Sequence, residues 1–227
     1  MASHGPPTVA AIIVAAGSGS RLGADVPKAF VTVAGRTLLE HASSRFLEHP
    51  LVRDVVLAAP ANLVESASAI VPRARVVAGG STRQESVARA LAALAADIDI
   101  VLVHDVARAF VPAEMITQVV GAVQAGSAAA IPTLPVTDTI RRCDPDTHEL
   151  GETLDRTRLR AVQTPQGFRR AALLAAHSLD PDADACDDAS LVEAMGVRVV
   201  AVRGDERAFK ITVARDLAVA ELIARDG

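Results

Sequence analysis

With 227 residues, half of them apolar, the chain is long enough to bury a full core and too hydrophobic to be disordered. A formal charge of −4, with no Trp or Tyr and only five Phe, excludes the basic face and stacking platforms of a nucleic-acid binder, so the arginines must act locally. The two cysteines, Cys143 and Cys186, lack Cys-x-x-C or Cys/His spacing, which suggests neither a disulfide framework nor a zinc site.

The opening residues, MASHGPP, have no basic region followed by a hydrophobic stretch, so no secretion signal is read and a cytoplasmic protein is expected. No apolar run approaches the roughly 18 residues of a membrane span, so no membrane partner is expected either. Val9 to Ala16 is an uninterrupted apolar run of the length and β-branched content of a strand buried on both faces. It breaks into Gly17-Ser18-Gly19-Ser20, where missing side chains let backbone N–H groups approach an anion. Arg21 and, after Pro27, Lys28 follow. The loop reads as a cradle for a nucleoside triphosphate, its two cations taking up charge at the phosphorus under attack. A plain strand-to-loop turn is the alternative. The G-x-G-x-x-G dinucleotide fingerprint is misspaced, because Gly23 comes four residues after Gly19, and no Gly-Lys-Ser/Thr completes a P-loop.

Periodicity predicts a helix over Thr37–Phe46, a strand over Val52–Ala59, a helix over Leu63–Val71 and a short strand over Arg75–Ala78. Gly79-Gly80-Ser81-Thr82 then leads into a helix through Leu94, with Ser81 or Thr82 as N-cap. A buried strand from Ile98 ends in His104-Asp105. A carboxylate there, beside bound phosphates, is placed to hold Mg²⁺, although a lone Asp at a strand end is more often a turn or cap residue. A helix over Pro112–Gln124 and a strand over Ala128–Ile131 follow, after which Pro132 and Pro135 interrupt the pattern. From Val136 to about Arg160 the chain turns polar, with Asp144-Pro145-Asp146 as a turn signal. It reads as a projecting β-hairpin whose unpaired edges call for a second copy, hence a homodimer. Helices over Ala171–His177 and from Asp187-Asp188, whose carboxylates suit a helix N-terminus, a strand over Val197–Val202 and a last helix over Val213–Arg225 complete the chain. Alternating strands and helices imply βαβ units with ligands at the carboxyl ends of the strands. The expected fold is one α/β domain over residues 1–227, with a Rossmann-like, mostly parallel sheet flanked by helices and a protruding dimerisation arm at about 136–160.

Ala15, Ala16, Gly17, Gly19, Arg21, Leu22, Pro27 and Lys28 match the pattern A-A-G-x-G-x-R-[LM]-x(4)-P-K. In this the chain resembles the sugar-phosphate nucleotidyltransferases and, through its later motifs, their 2-C-methyl-D-erythritol 4-phosphate cytidylyltransferase branch. The resemblance spans roughly Val9 to Ala224. It implies that Ala15, Ala16, Gly17, Ser18 and Gly19 bind the nucleotide, together with Gly80, Arg83 and Ser86 of a G-G-x-x-R-x-x-S segment that contacts cytosine and ribose. Asp105, Ala107 and Arg108 fall in an H-D-A-A-R-P motif from which Val106 and Ala109 depart. By resemblance, Thr139 and Arg156 of the arm bind the erythritol phosphate, the arginine reaching a neighbouring subunit's site, and Thr164 of T-P-Q adds a phosphate contact. From the residues alone Arg156 is one of a run of surface arginines. Lys210 of Lys210-Ile211-Thr212 becomes a substrate-positioning cation, where by itself it reads as a snorkelling edge residue. Cys186 stands where the family usually has Thr, and Ala214-Arg215 replaces a usual Pro-Glu.

Together these imply transfer of CMP from CTP to 2-C-methyl-D-erythritol 4-phosphate with Mg²⁺ as cofactor, a step of non-mevalonate isoprenoid synthesis. Arg21 and Lys28 would act at the α-phosphate, and Arg156 with Lys210 at the acceptor phosphate. The acceptor needs no elaborate base, since a phosphate monoester has a second pKa of about 6. A cytidylyltransferase for another polyol phosphate such as ribitol 5-phosphate, a nicotinamide-dependent oxidoreductase and a silent nucleotide-binding module are the alternatives. No acidic residue ends a strand about 20 residues past the glycines, which disfavours the oxidoreductase.

Overall fold

The unbroken apolar run of β1 (Val9–Val14) is explained by burial on both sides: Ala10 and Ile12 enter one core, Val9, Ala11 and Ile13 the other. The structure, a computed structural model, describes residues 6–17, 26–179 and 185–226. After a 3-10 turn at Lys28–Phe30, the short strands β2 (Thr32–Val33) and β3 (Arg36–Thr37) form a hairpin. It leads into α1 (Leu38–Leu47) through a capping box in which Thr37 Oγ1 accepts from the Glu40 N–H at 3.1 Å and the Glu40 carboxylate accepts from the Thr37 N–H at 2.7 Å. Then come β4 (Val52–Ala59), α2 (Val64–Ile70), β5 (Arg75–Ala78), α3 (Arg83–Ala92), β6 (Ile100–Asp105) and α4 (Ala113–Gln124). The second half comprises β7 (Ala129–Pro135), a ribbon of β8 (Arg141–Cys143) and β9 (Leu150–Thr153), β10 (Arg160–Val162), β11 (Gln166–Arg169), α5 (Arg170–Leu179), α6 (Asp188–Ala194), β12 (Val199–Arg203) and α7 (Ala214–Asp226).

The main sheet runs β10-β7-β11-β6-β1-β4-β5, with β12 also paired to β7. β6, β1, β4 and β5 are mutually parallel, as is β12 to β7. α1 and α4 cover one face of the sheet, while α3, α5 and α6 cover the other. A third apolar cluster joins the β2–β3 hairpin, Phe110, Ile211 and α7. The expected α/β sheet is therefore present, and it places the ends of β1, β5 and β6 along one edge.

Three departures have physical causes. The strand expected to stop at Ile131 runs on through Pro132 to Pro135, because the antiparallel partner of β7 changes from β11, last paired at Ala130, to β10, first paired at Thr133. Pro132 lies in that changeover, where a missing N–H costs no rung of the ladder. β11, read only as the chain's return to the core, is an antiparallel strand inserted between β6 and β7. The arm's strand-paired hairpin fills only part of the span 136–160. It is β8–β9, turned by Asp144, whose carboxylate accepts from the N–H groups of Asp146 and Thr147 at 3.0 and 2.8 Å. Arg160 has already rejoined the main sheet in β10. Every residue of β8 and β9 is exposed, and they form a separate two-stranded sheet.

Candidate active site

Register fixes the centre of the site. Val14 at the end of β1 pairs with Asp105 at the end of β6, so Gly17 and Asp105 emerge side by side from neighbouring parallel strands. On the other flank Ala59 pairs with Ala78, and the Gly79 N–H donates to the Ala59 carbonyl at 2.7 Å. A Cβ on Gly79 would lie 2.5 Å from the Ala16 Cβ, so only glycine lets the β5 loop close against the β1 loop. Between them lies a crevice of about 320 Å³, within the range of small-molecule sites.

Of the residues expected at the site, Ala16, Gly17, Lys28, Gly80, Arg83, Ser86, Asp105, Ala107 and Lys210 all line this crevice. Ser18, Gly19 and Arg21 lie outside the described residues. Ala15 does not face it; it is buried in the core, its N–H donating to the Ala58 carbonyl at 2.8 Å. Thr164 is buried behind the wall, its hydroxyl accepting from the Asp105 N–H at 3.1 Å and meeting His104 Nδ1 at 3.0 Å. Arg108 uses both terminal nitrogens on backbone carbonyls, Ala208 at 2.8 Å and Val162 at 3.1 Å, and burial lowers its pKa. Thr139 and Arg156 are exposed and do not line the crevice of their own chain; Arg156 donates to the Thr137 carbonyl. Ser81, Thr82 and Val106 line the crevice as well.

Charge is concentrated on one carboxylate. Asp105 accepts from Lys210 Nζ at 2.9 Å on one oxygen and from Arg83 Nε at 3.3 Å on the other. Burial pushes its pKa up, but the Arg83 and Lys210 charges outweigh that and hold it well below the usual carboxylate range. Lys28 Nζ donates to the Ile211 carbonyl at 2.9 Å, so the residue after Lys210 is tied to the loop that follows β1. The turn after Lys210 is fixed by Asp216, whose carboxylate accepts from the Thr212 and Val213 N–H groups at 2.7 and 2.9 Å. This is a structural reason for the Lys-Ile-Thr and Asp-Leu spacing. Ser86 braces its own loop, accepting from the Gly80 N–H at 3.0 Å and donating to the Thr82 carbonyl at 2.8 Å. Thr82 is the N-cap of α3, its hydroxyl accepting from the Glu85 N–H at 3.0 Å, so the capping and site-lining roles coexist in this segment.

Next to Asp105, His104 is fully buried, and desolvation depresses its pKa to about 4. The neutral ring has one consistent tautomer: Nε2–H donates to the Arg108 carbonyl at 3.1 Å and Nδ1 accepts from the Thr164 hydroxyl.

The residues that sequence reasoning missed form the support behind Arg83. Asp187 is the N-cap of α6, accepting from the Ser190 N–H at 2.9 Å. Asp188, expected to share that capping role, is instead fully buried and paired with Arg83 and His177. The signal was that one carboxylate suffices for a cap while two stand together. Gln163, also unremarked in the sequence, is buried and fixes the loop ahead of Lys210, donating to the Asp205 carbonyl at 2.9 Å and accepting the Asp205 N–H at 3.0 Å.

A parallel half-sheet whose carboxyl edge gathers Lys28, Arg83 and Lys210 about a glycine-lined crevice defines an α/β nucleotidyltransferase. Over residues 9–226 the chain matches the family model described as "IspD: 2-C-methyl-D-erythritol 4-phosphate cytidylyltransferase", and it belongs to that family. It is 47% identical over 223 residues to the enzyme of that name from Saccharopolyspora erythraea, covering 95% of this chain and 99% of the relative. It is 48% identical to a bifunctional enzyme IspD/IspF from Clavibacter michiganensis, of which it covers 55% while 97% of this chain is matched. A crystal structure of 2-C-methyl-D-erythritol 4-phosphate cytidylyltransferase from Thermus thermophilus superposes with a TM-score of 0.79 at 41% identity, covering 96% of this chain and 99% of that one.

Proposed function

We propose that the crevice binds CTP and that the chain transfers CMP to 2-C-methyl-D-erythritol 4-phosphate, a step of isoprenoid synthesis. The observation that carries this reading is the convergence of Lys28, Arg83 and Lys210 with the Gly17 and Gly80 loops on one crevice, in a chain that matches the family along nearly its whole length. An oxygen of the acceptor's phosphate attacks the α-phosphorus, the bond from that phosphorus to the bridging oxygen breaks, and pyrophosphate leaves with the electron pair. The nucleophile is already dianionic near neutrality. What the protein must supply is relief of repulsion between two anions, and fixed cations do that best in a water-poor site. Asp105 is the counter-charge of Lys210 and, together with Asp188, of Arg83. A triphosphate offers those cations a stronger one. Lys28, with Arg21 of the same loop, is assigned to the α-phosphate and Lys210 to the acceptor.

Mg²⁺ fits this crevice as a partner of the triphosphate. Among the described residues no cluster of three or more potential ligands occurs, and the carboxylate that lines the crevice is the ionised Asp105. That is the donor set of an ion that keeps phosphate oxygens and waters. When bound it would neutralise phosphate charge.

The arm completes the proposal. β8–β9 presents two exposed strands, and an isolated ribbon of this kind gains most by pairing with another copy. We therefore assign a homodimer in which Thr139 and Arg156 serve the neighbouring subunit's acceptor site. No described helix is long and apolar enough to cross a membrane. Both substrates are small, highly charged metabolites, and the reading carries a cytoplasmic location with it. Pyrophosphate release measured with each of the four nucleoside triphosphates against 2-C-methyl-D-erythritol 4-phosphate and ribitol 5-phosphate is the test. Turnover is expected with CTP and the first acceptor. Preference for ribitol 5-phosphate moves the assignment to another polyol, and CTP binding without turnover replaces it with a silent nucleotide-binding module.

A further inference from the structure

The first residue of α6 carries a charge that neither capping nor packing requires. Asp188 is fully buried, and burying an ionised carboxylate is unfavourable unless both oxygens are well paired. They are: Oδ2 accepts from Arg83 Nη1 at 2.6 Å and Oδ1 from His177 Nε2 at 2.9 Å. Burial raises its pKa, and the His177 hydrogen bond and Arg83 charge more than reverse that, so it stays a carboxylate. Its neighbour already performs the helix-terminal work. Asp187 accepts from the Ser190 N–H and hydroxyl at 2.9 and 2.6 Å, while Gln166 of β11 donates to Asp187 at 2.7 Å and accepts from the Ala189 N–H at 3.2 Å.

Arg83 connects this buried group to the crevice. It stands at the first position of α3, with Nη1 on Asp188 and Nε on Asp105. The guanidinium is thus clamped between α6 behind and the end of β6 in front. A long side chain with several rotatable bonds gives up its rotameric freedom on binding unless it is already held, and a planar fork held at two corners keeps its remaining donors in fixed directions. His177 supports the reading from the far side. Among the described residues its Nδ1 is buried without a hydrogen-bond partner, an unfavourable arrangement that leaves the Nε2 contact to Asp188 as the ring's polar role there.

We propose that Asp188, anchored by His177, is a positioning residue for the nucleotide subsite, holding the Arg83 guanidinium against the crevice wall before CTP arrives. This rests on the CTP reading above.

The test is a double-mutant cycle on the full chain, with CTP affinity measured calorimetrically and KM and kcat measured by pyrophosphate release for wild type, Asp188→Asn, Arg83→Lys and the double variant. Loss of a charge-assisted hydrogen bond should raise Kd and KM for CTP about tenfold in Asp188→Asn while kcat changes less than about threefold. In the Arg83→Lys background the same substitution should have no further effect on either constant. If Asp188→Asn shows no cooperative thermal transition, His177→Gln takes its place in the cycle, with an expected rise of about threefold that again vanishes beside Arg83→Lys. Unchanged CTP affinity, or an equal loss in both backgrounds, overturns the proposal. A wild type that neither binds nor turns over CTP removes the functional reading and this inference with it. A working wild type with an uncoupled Asp188 removes this inference alone.

Discussion

The crevice and the arm both carry charged side chains that the proposed function assigns to phosphates, yet they are built in opposite ways. In the crevice Lys28 donates to a backbone carbonyl, Lys210 and Arg83 share Asp105, and Arg83 also reaches the fully buried Asp188. In the arm every residue of both strands is exposed, and the ion pair between them, Arg142 with Glu152 at 3.7 Å, has side chains about seven-tenths accessible, the kind of pair that adds little stability. The crevice is prepared within one chain. The arm is open to solvent, and its Arg156 and Thr139 do not line the crevice of their own chain; the proposed dimer would bring them to a neighbour's.

The largest expected effect tests the prepared half. Replacing Lys28 or Lys210 by Met should lower kcat/KM about 10³-fold or more, the scale of a positioned cation at phosphoryl transfer, with unchanged circular dichroism. Arg156→Met should lower it about 10²-fold with 2-C-methyl-D-erythritol 4-phosphate, mostly through the acceptor. Mixing and re-equilibrating inactive Lys28→Met and Arg156→Met chains then sharpens the comparison. If the arm serves the neighbouring subunit, half the dimers are mixed and one of their two sites is intact, so about a quarter of wild-type activity returns. If each arm serves its own chain, none returns.

A third prediction concerns the packing beneath the crevice. His104 is buried and neutral with its pKa depressed to about 4, so the unfolded chain takes up the proton first as pH falls. The stabilisation is complete above the unfolded value near 6.5 and is lost on going down to about 4, amounting to at most ~3 kcal/mol. Urea unfolding at pH 7 and pH 4.5 should show that decline, and His104→Gln should flatten it. The smallest effect lies far from both regions. Thr37→Ala removes half of a capping box and should cost about 1 kcal/mol in the same assay without altering KM for CTP.

Much of this was legible in the sequence where burial left a pattern. β4 and β5 begin and end at the residues expected, because each carries a run drawn from valine, leucine and alanine that stops at a proline or glycine turn, Pro60 after β4 and Gly79 after β5. The Gly79-Gly80 turn was legible because glycine suits close backbone approach, whereas Lys210 was legible only through the family resemblance, since by itself it reads as a snorkelling edge residue. β11 was not. Gln166–Arg169 carries a single large apolar residue, Phe168, and is a strand only because β6 and β7 hold it from both sides, with Gly167 so close to α4 that a Cβ would meet the Val119 side chain at 2.4 Å. Nor was Asp188, since an acidic residue at a helix start looks the same whether it caps the helix or crosses the core to meet Arg83. Pairings across 105 positions leave no local signature.

A crystal of this protein soaked with CTP tests the central claim most directly. The account predicts the triphosphate in the crevice, its innermost phosphate within hydrogen-bonding reach of Lys28 Nζ and the base against the Gly80–Ser86 segment. Nucleotide bound elsewhere, or Lys28 turned to bulk solvent beside it, would contradict the account.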